Sequence, residues 1–222
     1  MSLLVCSTLL FGCGDKKNRA IKELRKTPAE EEKARLLRKI DRNFDNPQAH
    51  FELGQLYQAD GLWTQAEYEY NTALDLDPVL IEAKAAMVKI LQQSQNTEKA
   101  LIYADIYMSQ AASSASNSLR LGLAFQKQQL DDYALSCYQQ ALRLNPNSAK
   151  VNRQVGYYYL AKGDKARAQD YLSRSFNLDR NQPEVAMQLG KLGVVIQRPR
   201  KTKMATKGLD KIIERSDRDL LK

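Results

Sequence analysis

The sequence contains few of the side chains from which catalytic and metal centres are built. Its 222 residues include a single histidine, His50, and three cysteines, two of which lie near the start of the chain. One histidine and one remaining thiol, Cys137, supply neither a metal cluster nor a Cys–His pair for nucleophilic catalysis. A glycine-rich phosphate-binding loop is also missing. We therefore expect no catalytic residue, no metal and no cofactor, and we interpret His50 as a packing residue.

Glycine and regular polar–apolar alternation are also scarce, which argues against a β-sheet protein. With only 10 glycines and frequent Ala, Leu, Gln and Lys, the composition predicts an all-α chain. The net charge of +8 comes from the two flanks of the chain and not from its middle. Residues 15–45 carry 11 basic and 7 acidic side chains, residues 196–222 carry 9 and 4, and residues 46–195 carry 14 and 15. A solenoid that binds nucleic acid needs basic residues along its face, so we expect no nucleic-acid partner.

What the sequence does contain is a repeat of 34 residues that keeps its register four times without an insertion. Each copy has two windows of apolar side chains at helical spacing, joined by a short turn. Position 8 is glycine in three copies, and position 20 is alanine in all four, which predicts a close approach of the two helices. The copies occupy residues 47–80, 81–114, 115–148 and 149–182. The small residues are Gly54, Gly122, Gly156, Ala66, Ala100, Ala134 and Ala168.

These residues resemble the consensus of the tetratricopeptide repeat (TPR) family. Copies one and three match it at Leu-Gly, an aromatic residue, Ala, Tyr, Ala and Pro, whereas copy two matches mainly through Ala100 and its length. The resemblance implies an all-α fold, a right-handed α-solenoid of antiparallel helix pairs that binds partners rather than performs chemistry. Leu189 and Gly190 indicate a partial fifth repeat, and we expect its first helix at Pro183–Ile196.

In the TPR family, positions 2, 5, 9 and 12 of each first helix line a concave groove. The resemblance therefore implies a protein partner in this groove and no small-molecule substrate. A lining rich in glutamine, with apolar patches and a basic end, suits an extended or helical peptide. The family's carboxylate-binding pattern is matched only by Arg120, so we do not expect that ligand. The expected groove residues are Gln48, Phe51, Gln55, Gln58, Lys89, Gln92, Leu123, Gln126, Lys150, Arg153 and Tyr157.

The N-terminus has the pattern of an export signal. The apolar run Leu3–Phe11 is too short to span a bilayer. Together with Gly12, Cys13 and the polar residues that follow, it resembles the lipobox of bacterial lipoproteins. The resemblance implies a signal peptide at residues 1–12 and acylation of Cys13, with palmitate among the chains, which would anchor the protein to a membrane. It implies a location in the bacterial cell envelope, facing the periplasm, and Gly14 slightly favours the outer membrane.

Two segments flank the four repeats. Residues 13–46 would comprise the acylated cysteine, a polar tether and a helix that opens with the capping-box pattern Thr27-Pro28-Ala29-Glu30. We expect this helix to reach about Asn43, with Ala34, Leu37, Ile40 and Phe44 on one face. Residues 183–222 would comprise the partial repeat, a capping helix and a basic tail. The tail would cap the solenoid, lie on an anionic membrane or engage a partner.

These features predict a non-catalytic scaffold for protein–protein interactions, a membrane-anchored TPR lipoprotein that supports assembly of a cell-envelope complex. The complex would be of the pilus, secretion or outer-membrane assembly type. Two alternatives stay open. The first is a soluble cytoplasmic TPR adaptor whose N-terminus is not processed. The second is a regulatory subunit of an envelope enzyme.

Overall fold

The computed structural model describes residues 27–195, and within this range the chain forms ten α-helices and no strand. None of these helices is both long and apolar enough to cross a lipid bilayer. The predicted signal peptide, Cys13 and the basic tail lie outside the described residues. The helices are α1 (Pro28–Arg42), α2 (Pro47–Ala59), α3 (Trp63–Leu76), α4 (Ile81–Gln93), α5 (Thr97–Ala111), α6 (Ala115–Lys127), α7 (Asp131–Leu144), α8 (Ala149–Ala161), α9 (Lys165–Leu178) and α10 (Pro183–Lys191).

The helices pair as the repeat predicts. Helices α2, α4, α6 and α8 begin at the expected first residue of each copy, and each packs against the helix that follows it. The glycine at position 8 makes the pairing close. A Cβ atom added at Gly122 would lie 2.7 Å from Cε1 of Tyr138, and one added at Gly54 would lie 2.6 Å from Cε1 of Tyr70. The small residue and the large ring opposite it therefore form one packing unit.

The turn inside each copy has the same backbone geometry. Position 15 is left-handed in all four copies, at Gly61 (φ +72°), Gln95 (φ +62°), Gln129 (φ +59°) and Gly163 (φ +77°). The next residue donates its N–H to a carbonyl of the last turn, as from Leu130 to Phe125 at 2.9 Å. This bonding is the Schellman motif, which satisfies the free carbonyls at a helix end. The first helices therefore end at the same point in every copy.

The described chain divides into two compact units, and the division falls between Asn147 and Ser148. The first unit contains α1 to α7 and has the larger core, which includes Leu53, Met87, Leu91, Phe125 and Tyr138. The second unit contains α8 to α10. Leu172, Val185 and Leu189 form its buried cluster, and no more than 1% of any of these three side chains is exposed.

Helix α1 confirms the capping box, and only part of its predicted apolar face is covered. The Thr27 side chain accepts from the N–H of Glu30, and the Glu30 carboxylate accepts from the N–H of Thr27 at 2.8 Å. The buried residue is Leu36, which packs with Ala49 and Leu53 of α2. Of the predicted face, Ala34 and Ile40 are half-buried and Ile40 packs against this cluster, whereas Leu37 is 43% exposed and Phe44 is 54% exposed.

Helix α10 is shorter than predicted. We expected it to reach Ile196, but it ends at Lys191. Gly193 is left-handed there (φ +83°), and the N–H of Val194 donates to Leu189 at 3.0 Å, so a Schellman motif closes the helix. A Cβ atom at Gly190 would meet nothing within 4 Å. Among the described residues, Gly190 therefore makes no close approach of the kind found at Gly54 and Gly122.

Candidate functional site

Two positions of the repeat stay partly exposed in every copy, and both belong to the predicted groove. Positions 7, 8 and 11 are buried in nearly all copies, whereas positions 9 and 12 are partly exposed in all four. A helix places residues three apart on one face, so each first helix presents the same two-residue strip. The strip comprises Gln55, Gln58, Lys89, Gln92, Leu123, Gln126, Tyr157 and Leu160.

In the first unit, three of these strips lie on neighbouring helices. Helix α2 packs against α4, and α4 packs against α6, so the first helices of three successive repeats stand side by side. Gln55, Lys89 and Leu123 occupy the same position on the three helices. The result is a surface that combines an amide, a cation and an apolar side chain at one level. We call the strips on α2, α4 and α6 the position-9/12 surface.

The remaining predicted residues of α2 lie at the border of this surface. Gln48 is exposed, and its amide donates to the Glu52 carboxylate at 2.9 Å. Phe51 is only 7% exposed, and its ring centroid lies 5.8 Å from that of Tyr70. Phe51 therefore belongs mainly to the core, and little of its ring is available to a ligand.

Two of the predicted glutamines also hold the fold. The Tyr70 hydroxyl donates to the side-chain oxygen of Gln58 at 2.6 Å, and Tyr138 donates to Gln126 in the same way two copies later. The amide nitrogen of Gln58 in turn donates to Gln93 at 2.7 Å. These glutamines are therefore fixed in orientation by the repeat itself, which reduces the entropy lost when a ligand binds to them.

The second unit carries the last three predicted groove residues, all on α8. Lys150 is exposed, and Arg153 donates from Nη1 to the side-chain oxygen of Gln182 at 3.3 Å. Tyr157 packs against the cluster formed by Leu172, Val185 and Leu189. Burial raises the pKa of Tyr157, and the Arg153 charge partly offsets this rise. Tyr157 is therefore a neutral, half-buried ring near physiological pH.

His50 has the structural surroundings that we predicted. It is 2% exposed, its Nδ1 lies 2.7 Å from Oε2 of Glu69, and its Nε2 lies 3.0 Å from the carbonyl oxygen of Phe44. The thiol of Cys137 is also buried, and burial raises its pKa to about 12. Within residues 27–195, no group of three or more His, Cys, Asp or Glu side chains could hold a metal ion.

Sequence reasoning missed two polar groupings because it considered only positions 2, 5, 9 and 12. One is the cleft beside Lys84 and Tyr107. The other is a buried network in the second unit, where Ser175 donates to the carbonyl of Ala149 at 2.8 Å and Gln182 donates to that of Ser175 at 3.0 Å. Ser175 occupies position 27, where the first and third copies have alanine and the second has tyrosine. A polar residue at an apolar repeat position was the available signal.

Comparison with known proteins finds relatives that are similar to this chain over more than half of its length. The type IV pilus assembly protein PilF of Pseudomonas aeruginosa is 28% identical over 165 residues, which cover 69% of this chain and 62% of PilF. The lipopolysaccharide assembly protein B of Escherichia coli K12 is 28% identical over 134 residues, covering 58% of this chain and 34% of that protein. The human protein O-mannosyl-transferase TMTC1 is 28% identical over 62% of this chain and 15% of its own length. The chain thus spans less than two thirds of each of these relatives.

Two solved structures are also similar to this chain. A structure of Pseudomonas aeruginosa PilF has a TM-score of 0.38 and 26% identity, with 66% of this chain and 67% of that chain covered. MamA from Desulfovibrio magneticus RS-1 has a TM-score of 0.39 and 22% identity, with 78% of this chain and 99% of that chain covered. No family model matches the chain. The repeat sequence and the observed helix pairs are those of an all-α fold of the tetratricopeptide type, and the chain is similar to PilF over 69% of its length.

Proposed function

We propose that this protein is a non-catalytic scaffold that binds a protein segment on its groove and supports the assembly of a complex in the bacterial cell envelope. The observation that carries the proposal is the position-9/12 surface. It keeps the same two positions partly exposed on α2, α4 and α6, while the residues between them are half-buried on α2 and buried on α4 and α6. A solenoid uses repeated surfaces of this kind to bind extended partners.

The chemistry of the surface favours a peptide partner. Gln92 and Gln126 supply amide groups that can pair with a peptide backbone, Lys89 supplies a positive charge, and Leu123 supplies an apolar contact. Peptide recognition commonly combines main-chain hydrogen bonds with pockets for alternate side chains. Lys89 is the single charged residue of this surface, so the partner need not be strongly acidic or basic.

The envelope location is supported by similarity and by the N-terminal sequence. PilF is named for type IV pilus assembly, and the Escherichia coli relative is named for lipopolysaccharide assembly. Both processes build structures of the cell envelope. Lipid on Cys13 would hold the groove near the membrane, and we propose that the protein faces the periplasm, with the outer membrane favoured over the inner membrane.

The lipid anchor is tested by metabolic labelling with an alkyne analogue of palmitate in a Gram-negative host. We expect the wild-type chain to carry the label and to fractionate with membranes, and Cys13→Ala to lose both properties. Cys6→Ala is the matched control, because Cys6 lies inside the predicted signal peptide and would be removed with it. Equal labelling of the wild-type and Cys13→Ala chains, or of neither, would contradict the anchor.

The groove is tested separately by site-specific photocrosslinking in the cells from which the gene comes. A photoreactive amino acid replaces Gln55, Lys89 or Leu123 in turn, and Asp105 and Gln139 serve as controls on the exposed faces of second helices. We expect all three groove positions to capture the same protein, identified by mass spectrometry, and the controls to capture none of it. Capture of that protein at the controls with equal yield would place the interaction elsewhere.

The two alternatives give different results in the same experiments. A soluble cytoplasmic adaptor would show no lipid label but would still crosslink from the groove. A regulatory subunit would crosslink to an enzyme whose activity changes when the chain is added, and the similarity to the named transferase TMTC1 motivates this assay. A reaction catalysed by the purified chain alone would contradict the scaffold.

A further inference from the structure

A second concave site lies in the first unit, away from the position-9/12 surface. It is a cleft of about 580 Å³ between the loop that follows α3, the start of α4, the end of α5 and the start of α6. Its lining includes Val79, Lys84, Tyr107, Gln110, Asn117 and Arg120. Protein sites for small ligands and short peptide segments commonly have volumes of roughly 300–1,000 Å³.

The repeat positions that line the cleft differ from those that line the groove. Lys84 is at position 4 of the second copy, and Asn117 and Arg120 are at positions 3 and 6 of the third copy. Tyr107 comes from a second helix, α5. None of these residues is at position 2, 5, 9 or 12, so a ligand in the cleft and a ligand on the position-9/12 surface contact different side chains.

Lys84 is held inside the cleft. Its Nζ donates to the side-chain oxygen of Gln110 at 2.6 Å and lies 5.2 Å from the centroid of the Tyr107 ring. Burial lowers the pKa of Lys84, and the charge of Asp77 opposes that change. A partly desolvated ammonium group interacts more strongly with an incoming anion than one in bulk water does.

The two cations of the cleft lack carboxylate partners. Within residues 27–195, neither Lys84 nor Arg120 forms an ion pair at 4.0 Å or less. The Asp77 carboxylate, which accepts from the N–H of Val79 at 3.0 Å, favours the charged form of Lys84 but is not part of the lining. The lining of the cleft has two cations and no carboxylate, beside an aromatic ring and an exposed valine, since Val79 is 74% exposed.

We propose that this cleft binds a protein segment in which an aspartate or glutamate precedes an apolar residue. Lys84 and Arg120 bind the carboxylate, Asn117 and Gln110 hydrogen-bond the peptide backbone, and Val79 and Tyr107 contact the apolar side chain. The site is additional to the groove, and its occupancy does not depend on the proposed groove function.

Charge distinguishes this ligand from two others. Residues 46–195 carry 14 basic and 15 acidic side chains, so the repeats provide no extended positive field for a nucleic acid or an anionic membrane. A short acidic segment needs only the two cations that the cleft supplies.

The test uses the full purified chain and fluorescein-labelled hexapeptides in which Asp or Glu precedes Leu, Phe or Val. Each peptide has a counterpart with Asn or Gln in place of the acid. We expect at least one acidic peptide to bind, and to bind about tenfold more tightly than its amide counterpart, as a charge-assisted hydrogen bond allows. Failure of every acidic peptide to bind at millimolar concentration, or equal binding of the amide counterparts, overturns the proposal.

Variants locate the binding site. Lys84→Gln combined with Arg120→Gln should weaken binding about tenfold or more. Lys127→Gln combined with Arg143→Gln, which removes the same charge from exposed positions, should leave it unchanged. Arg120→Gln alone, at an exposed residue, provides the same test if the double variant loses helical content. Loss of binding in Lys89→Gln with retention in the cleft variants would place the peptide in the groove and overturn the proposal. Anionic vesicles or single-stranded RNA that compete as well as the acidic peptide would also overturn it.

Discussion

The hydroxyl of Tyr70 donates a hydrogen bond of 2.6 Å to the side-chain oxygen of Gln58. The bond joins the second helix of the first repeat to the end of its first helix. Tyr138 and Gln126 repeat it two copies later. Each tyrosine ring also lies against the glycine at position 8, Gly54 or Gly122. One side chain therefore sets both the separation of the two helices and the orientation of a groove residue.

Removal of this hydrogen bond should lower stability modestly. We expect Tyr70→Phe to reduce the free energy of unfolding by about 1 kcal/mol, because the ring keeps its packing and only the bond is lost. Urea denaturation followed by circular dichroism measures the change. Tyr68→Phe is the control, since Tyr68 is on the same helix and 62% exposed. An equal effect of both substitutions would show that the bond to Gln58 contributes nothing.

The glycines at position 8 should not tolerate a methyl group. In Gly122→Ala, the new Cβ would lie 2.7 Å from Cε1 of Tyr138 and 3.1 Å from Cβ of Cys137. We expect a loss of about 1–3 kcal/mol from overpacking, measured as a lower thermal melting temperature. Gly190→Ala is the matched control within another helix. Its Cβ would meet nothing within 4 Å, so we expect a gain of about 0.5–1 kcal/mol. A stabilised Gly122→Ala variant would contradict the close packing.

In two of the four turns, replacing the left-handed residue by glycine should increase the stability of the fold. Gln129 has a φ of +59°, a conformation that costs a residue with a Cβ atom about 1–2 kcal/mol. We expect Gln129→Gly to raise the free energy of unfolding by about 0.5–1 kcal/mol. Gln128→Gly serves as the control, because Gln128 has a φ of −85° and gains nothing from glycine. Stabilisation by Gln128→Gly instead would place the strain elsewhere.

Stability should decrease in alkaline solution. Burial raises the pKa of Tyr70 and of Tyr107 above the ordinary value of 10.0. Their folded-state pKa exceeds the unfolded-state value, so their contribution is complete below pH 10.0 and decreases as pH rises above 10.0 towards the folded-state pKa. Thermal melting between pH 8 and pH 11 measures this decrease, which should be smaller in Tyr107→Phe. An identical pH profile for wild type and Tyr107→Phe would contradict the assignment.

The pairing of helices could be predicted from the sequence because it depends on residues that recur. The glycine at position 8 and the alanine at position 20 fixed the repeat register, and that register located the start of every first helix. The predicted apolar face of α1 was only partly right, because this helix lies outside the repeat. There, Leu36 and Leu37 are adjacent and equally apolar, and only contact with Ala49 and Leu53 selects Leu36.

The candidate site was predicted less completely for a different physical reason. The family pattern assigns positions to a groove, but it does not say how much of each side chain remains exposed. Phe51 is mainly buried because it packs on Tyr70, and Gln58 is restrained because it bonds to the same residue. The cleft around Lys84 and Arg120 depends on three helices and a loop meeting at one place, so no spacing within a single copy indicates it.

The uniform spacing of the position-9/12 surface also has a consequence for how such a gene can change. Helices α2, α4 and α6 start at Pro47, Ile81 and Ala115, one repeat length apart, and the intervening turns share one geometry. An in-frame duplication of one copy would therefore insert a further helix pair without disturbing the contacts on either side. The surface would lengthen by one strip, and its specificity could then diverge through two codons, those for positions 9 and 12 of the new copy.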